Sequence, residues 1–414
     1  MDRRSAMLAM GGTALLAGLG IPAIAADDDG LVDLTKAAKL ITRAERIGRI
    51  ERLQVQLRKA GIGAVIIEAG SSLDYFTGIQ WWRSERVTAV VIPRDGEALI
   101  VTPYFEAPSI NEMLAVPAQI RTWNEHDNPF AVIADWLRER KLGSGTIGLE
   151  ETVREFIHAG VESALPAAIV VSAADQIRAV RMRKTAAEIA LMQVANTITL
   201  NALRYAAKRT QVGMTPGDIV AMIVAATRKQ GGDADGGLVL LGEAAAYPHG
   251  SRQRQVVREG EVVLMDCGCQ VHGYSSDISR TFVVGEPSAE LRRVWGIVRQ
   301  GQQIAHETAQ IGVACGAVDD AVRTYYEREG FGPGYKLPGL SHRTGHGIGM
   351  DGHEPVNLVH LESTRLDVGM CFSNEPGLYL PGKFGVRLED CFYMTADGPR
   401  LFTELAPGID KVFG

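Results

Sequence analysis

The chain has 414 residues, 46% of them hydrophobic and 22% charged, and a formal net charge of −6. That length implies two domains, the apolar share is ordinary for a globular protein, and the acidic balance excludes a dedicated nucleic-acid binder, which is normally basic. Five cysteines with no C-x-x-C pair exclude a disulfide scaffold; Cys267 and Cys269 read as small packing residues.

Residues 1–25 do not read as part of the fold. Arg3-Arg4, a Gly/Ala-rich apolar run and Ala23-Ile24-Ala25 have the three-part layout of a bacterial export signal with an A-x-A cleavage site. The paired arginines point to the twin-arginine route, although Ala6 stands where that motif usually has a large apolar residue. The run is short and small-residued for a span of about 20 residues. The expectation is removal after Ala25 and a periplasmic or secreted mature protein.

Leu40, Ile47, Ile50, Leu53 and Leu57 recur at helical spacing and predict an amphipathic helix over 33–60. A buried strand is expected over 63–70, a hairpin over 88–103 around Asp95-Gly96, a helix over 129–141 and a strand within 167–175. Alternating strand and helix make 30–178 an α/β domain. In 184–209 Thr185 and Glu188 form a capping box that opens a long helix. A second helix starts at Thr215, with Pro216 at its first position, and stops at Gly231-Gly232. Strands follow from Leu238 to Val284. The order then recurs, with helices over 288–310 and 317–329 and strands over 341–395.

The recurrence leaves a trace in the residues. QVGMTPGDIV from Gln211 and QIGVACGAVD from Gln310 share Gln, Gly and Gly at the same offsets, each between a long and a short helix. A duplicated helix–helix–strands unit over 184–414 is the economical reading. It predicts an α+β domain with pseudo-twofold symmetry, a curved antiparallel sheet inside and helices outside.

The most informative stretch is Ser341 to Asp390. HRTGHGIGMDGH carries His342, His346 and His353, and the segments SNEPGLYL and VRLED carry Glu375, Glu389 and Asp390. The histidines have the i, i+4 spacing of a helical zinc motif, but Gly345, Gly347 and Gly349 oppose a helix and the general-base Glu of H-E-x-x-H is absent. Read as extended chain, His342, Thr344 and His346 point to one face. Upstream, Asp266 ends the hydrophobic strand Val262 to Met265, and Asp277 opens the next strand after a Gly/Ser turn. An aspartate at the edge of an apolar strand is costly unless paired or metal-bound, and a salt-bridged turn is the plain alternative for each. Together, Asp266, Asp277, His346, Glu375 and Glu389 offer too many donors for one tetrahedral zinc. They suit two divalent ions bridged by carboxylates, and the oxygen-rich set favours manganese, cobalt or zinc over copper.

These five residues, in an MD-x-G segment, a second Asp eleven residues on, a Gly-rich His run, an EPG segment and an R-x-E-D segment, resemble the pita-bread metallopeptidases: Xaa-Pro aminopeptidases, prolidases, methionine aminopeptidases and creatinase relatives. The resemblance covers about 30–414. It implies that Asp277 and Glu389 bridge two metals, manganese foremost, that Asp266 binds one of them, and that His346 and Glu375 bind the other. It implies further that His249 and His353 serve the attacked carbonyl or move a proton, and that His342 lines the pocket beyond the cut. Glu375 would shuttle the proton from water to the leaving nitrogen. Arg387, two residues before Glu389, would orient the carboxylates, contact substrate or form a structural salt bridge.

The first domain sets the chain apart from short methionine aminopeptidases, and the complete ligand set sets it apart from creatinase relatives, which work without metal. The resemblance therefore implies hydrolysis of the bond preceding proline, in Xaa-Pro dipeptides or at the N-terminus of peptides. For a dipeptide, Arg343 and Arg387 are the candidate cations for the terminal carboxylate. Relatives often dimerise, so Trp81-Trp82 is expected on a loop that reaches a neighbouring subunit's active site in a homodimer. Hydrolysis of a small non-peptide amide, or non-catalytic binding on the same fold, are the rival readings.

Overall fold

The structure is a computed structural model that describes residues 30–413, Asp235 excepted; the export-signal reading of 1–25 lies outside them. The first unit is built on a six-stranded mixed sheet. Its spatial order is Ala118–Trp123, Ala98–Pro103, Ala89–Pro93, Ala64–Glu68, Thr146–Leu149 and Ile169–Ser172. The hairpin turns at Asp95-Gly96 as expected, with Gly96 at φ 89°. Alternation along these apolar strands feeds two cores. Ile66, Val91 and Leu99 pack with Trp136 and Leu137 of the helix Pro129–Glu139. Val65, Ile67, Val90, Ile92 and Ile100 pack on the other face.

The helix expected over 33–60 is shorter than its apolar spacing suggested. It runs Arg43–Ala60, with Thr42 and Glu45 as its capping box, and Leu40 is 64% exposed before it. A capping box competes successfully with helical spacing because it satisfies two otherwise orphaned backbone N–H groups.

The second unit opens with the helices Ala186–Arg209 and Pro216–Lys229, both capped as the sequence indicates. The strands Val262–Val271 and Tyr274–Val283 form a long antiparallel hairpin, flanked by Leu238–Leu241 and Asp233–Ala234. Helices Ala289–Thr308 and Cys315–Arg328 follow. A five-stranded antiparallel sheet then runs in the order Glu354–Leu358, Gly345–Gly347, Cys371–Asn374, Asp390–Thr395, Gly398–Leu401, beside a hairpin of Gly377–Leu380 and Phe384–Arg387. Helices thus lie outside antiparallel strands.

The internal repeat is visible in the backbone. Gly213 (φ 93°) donates to the Val257 carbonyl, and Val257 N–H returns a bond to Met214. Gly312 (φ 81°) donates to Leu366, and Leu366 N–H returns a bond to Val313. Each pair follows a long helix and precedes a helix of 14 residues. The shared glycine is therefore required twice, at a left-handed turn that ties the helices to the sheet.

The two units share a core. Leu73, Tyr75 and Ile177 cluster with Ala195, Val271, Tyr274 and Ile348, and the buried Arg49 guanidinium donates to the Tyr274 hydroxyl at 2.8 Å beside Glu188 at 3.3 Å. No helix among the described residues is long and apolar enough to cross a membrane.

Candidate metal centre

Asp266 and Asp277 lie inside the long hairpin, not at strand ends. The chain reverses at His272-Gly273, both at positive φ (49° and 82°), so Ser275 and Ser276 are strand residues. The register pairs Asp266 with Ser279 and Asp277 with Gly268, which makes the two aspartates diagonal neighbours on one face.

Glu389 arrives from the other half of the repeat. Its backbone exchanges two hydrogen bonds with Ser279, at 3.1 and 3.3 Å, and its Oε2 accepts from the Ser279 hydroxyl at 2.8 Å. His346 is the middle residue of Gly345–Gly347. A Cβ on Gly345 would lie 2.1 Å from the Ser373 carbonyl, and one on Gly347 2.6 Å from that of Glu354, so the glycines let three strands close around the histidine. The regular strand is only these three residues. Thr344 turns away to Asp319, bonding its Oδ1 at 2.7 Å, so the expected shared face of His342, Thr344 and His346 does not form. Glu375 follows the strand Cys371–Asn374, fixed by its N–H to the Thr344 carbonyl at 2.8 Å.

His346 Nδ1–H donates to the Gly347 carbonyl at 3.0 Å, which leaves Nε2 as an acceptor. That atom stands 3.4 Å from Glu375, 3.8 Å from Asp277 and 4.0 Å from Glu389. Two further triads, Asp266–Asp277–Glu389 and Asp277–His346–His353, also have donor atoms within 4.8 Å of one another. The five sequence candidates therefore converge, and His353 stands close enough to join them.

A second layer holds this set. Arg387 is buried and pairs with Asp266; its Nε donates to Ser279 at 3.2 Å and its Nη1 to the Tyr379 hydroxyl at 3.1 Å and the Pro248 carbonyl at 3.2 Å. All three nitrogens are thus committed to protein atoms, which favours orientation of the carboxylates over the substrate contact also expected of Arg387. Tyr379 in turn donates to His342 Nε2 at 2.7 Å, while His342 Nδ1–H donates to the Arg343 carbonyl at 2.7 Å. Asp390, next to Glu389, belongs to a different system. It takes a bidentate pair from buried Arg280 (2.7 and 3.2 Å), with Gln302 at 2.9 Å and Thr403 at 2.7 Å.

The electrostatics follow from confinement. Burial first, then Asp277, Glu375 and Asp266, raise the Glu389 carboxyl well above the usual range. Burial raises Glu375 to about 7, with Asp266 adding to it and Arg387 and Arg343 opposing. Burial, then the neighbouring His353, lowers His346 to about 3, so the imidazole is neutral. Glu389 Oε1 is buried and accepts no hydrogen bond. An unpartnered buried carboxylate oxygen among three other carboxylates is costly unless a cation stands beside it.

One cavity of about 530 Å3 is lined by His249, Asp266, Asp277, His342, His346, His353, Glu375, Arg387 and Glu389. Arg343, Tyr335 and Val359 complete its wall. His249 is at the exposed rim. His353 Nδ1 accepts from Arg343 Nη2 at 3.1 Å, and its ring centroid is 3.9 Å from that of His346. Tyr335, Tyr379 and Ser279 were not singled out from the sequence. Tyr379 alone had a signal, as an alternate residue in the EPGLYL segment.

The chain is also similar to known proteins. A model of metallopeptidase family M24 matches residues 190–396, and one of the creatinase/prolidase N-terminal domain matches 49–183. A Lactobacillus helveticus protein named Xaa-Pro dipeptidase is 30% identical over 366 residues, covering 86% of this chain and 96% of that one. The crystal structure of dipeptidase PepE from Mycobacterium ulcerans superposes with a TM-score of 0.80 at 29% identity, covering 88% of this chain and 97% of that one. An X-Pro aminopeptidase structure from Thermotoga maritima gives 0.76 at 27% identity, covering 87% and 98%.

Proposed function

Because the chain belongs to metallopeptidase family M24, we propose that it hydrolyses the peptide bond preceding proline, in Xaa-Pro dipeptides first and at the N-terminus of longer peptides second. The observation that carries this reading is the convergence of four carboxylates and a neutral imidazole on one cavity. The unpartnered Glu389 Oε1 and the hard oxygen donors fit two divalent ions, manganese foremost, with cobalt or zinc as alternatives. Asp277 and Glu389 would be shared between them, with Asp266 on one and His346 and Glu375 on the other. Such ions, when bound, lower the pKa of a bridging water towards neutral and polarise the scissile carbonyl.

The chain's own residues supply the rest. Glu375 accepts a proton from the attacking water and delivers it to the leaving nitrogen, which departs only as the neutral amine. Arginine can only donate, so His353 Nδ1 accepts and its Nε2 carries the proton that faces the carbonyl oxygen. His249 at the rim is the second donor. Both His342 nitrogens are satisfied within the protein, so its ring presents carbon surface to the pyrrolidine. The remaining Arg343 donors suit the terminal carboxylate of a dipeptide.

Export through the signal at 1–25, with a homodimer in which Trp81-Trp82 covers the partner's cleft, completes the proposal. Trp82 is 70% exposed and stacks on Trp81 at 4.9 Å. The test is hydrolysis of Ala-Pro, Ala-Pro-Ala and Met-Ala with added manganese or cobalt. Cleavage of Ala-Pro is expected. Cleavage of the tripeptide as well makes the enzyme an aminopeptidase, and silence on all three points to hydrolysis of a non-peptide amide.

A further inference from the structure

His353 is carried on a short turn that the second unit does not hold alone. Inside the turn, Met350 and Asp351 N–H groups donate to Glu354 Oε1 at 2.9 and 3.3 Å. Outside it, Arg181 Nη2 donates to Glu354 Oε1 at 2.6 Å and to Asp351 Oδ2 at 2.9 Å. Ser71 Oγ donates to Asp351 Oδ2 at 2.7 Å, and Lys184 Nζ to Glu354 Oε2 at 2.8 Å. Ser71 and Arg181 belong to helices of the first unit, Ser71–Thr77 and Ala174–Arg181. The two acidic residues they grip bracket His353.

A cavity of about 180 Å3 adjoins this turn, lined by His353 and Pro355 together with Thr152, Ile177 and Arg178. Met350 seats the start of the turn in the core that the two units share, and ion pairs across the boundary between the units hold its Asp351–Glu354 end. Charged hydrogen bonds of this kind are directional, so they set where the turn sits.

We propose that Arg181 is a positioning residue for the reaction: from the first unit it fixes the Asp351–Glu354 turn and so aims the His353 imidazole at the reacting carbonyl. This rests on His353 being the donor proposed above. The first unit then does more than shape the cleft, since it completes the geometry of one catalytic side chain in the same chain.

The experiment is a double-mutant cycle on Ala-Pro hydrolysis in the full-length, manganese-loaded enzyme, using Arg181→Met, Arg181→Lys and His353→Ala. An effect exerted through His353 is non-additive. Arg181→Met should lower kcat by about 10- to 100-fold, leave KM within about threefold and leave metal content unchanged, and Arg181→Lys should recover part of the loss. In the His353→Ala background, Arg181→Met should have no further effect on kcat. An equal loss in both backgrounds, or none in either, overturns the proposal while leaving the reaction intact. A fully active His353→Ala enzyme overturns the proposal and the role of His353 together. Should Arg181→Met fail to fold, Asp351→Asn, at a half-exposed side chain, decides the matter by the same comparison.

Discussion

Glu354→Gln offers a quantitative test of how the two units are joined. The Glu354 carboxyl is buried between Lys184 and Arg181, whose side chains are 3% and 11% exposed. Burial alone would raise its pKa, but Lys184 and then Arg181 outweigh that and hold it at about 2, against an ordinary 4.5. At 1.36 kcal/mol per pH unit, that difference is worth about 3 kcal/mol. Because the folded value is the lower one, the contribution is fully present above pH 4.5 and is lost as pH falls from there to about 2. Spread over an unfolding entropy of about 2.1 cal/mol/K per residue, it corresponds to roughly 4 °C in melting temperature. Glutamine keeps the shape but removes the carboxylate that pairs with both cations, leaving Arg181 with Asp351. The assay is thermal unfolding of the metal-free protein and the variant between pH 3 and 8. The variant should melt lower by about that amount near pH 7, with the gap closing below pH 4.5. Equal melting at pH 7, or a gap independent of pH, would refute the account of this junction.

Other consequences are open to measurement. His346→Ala or Glu389→Ala should abolish metal uptake, measured by atomic emission, and most of the activity, while circular dichroism stays native. Asp390→Asn should instead cost stability, on the order of 3–5 kcal/mol, because Arg280 is left in a fully buried site without its counter-charge; a denaturation midpoint equal to wild type would contradict this. Replacing Trp81 and Trp82 by alanine should raise KM for Ala-Pro and leave metal content alone, and unchanged kinetics would reject the loop's role at a partner's cleft.

How much was legible depended on distance along the chain. The cap at Thr185–Glu188 and the helix start at Thr215-Pro216 were readable because each signal lies within one turn, and the Gly213/Gly312 repeat because the same backbone need recurs. The five donors were readable as a set because each sits in a short strand-like segment and together they exceed what one tetrahedral ion takes. The Ser275-Ser276 pair misled the placement of the hairpin turn. The real reversal uses His272 at positive φ, which few non-glycine residues adopt. Nothing local separates Glu389 from Asp390. The distinction lies in Arg280 and Ser279, about 110 residues away, and the bond from Arg181 to Glu354 spans 173. Such long-range partners have no sequence periodicity.

The central claim is that Asp266, Asp277, His346, Glu375 and Glu389 grip a pair of cations. Anomalous scattering from a manganese-soaked crystal measures this directly. The account predicts two peaks about 3.5–4 Å apart in the cavity these side chains line. A lone peak elsewhere, or ordered side chains turned away from an empty centre, would contradict it.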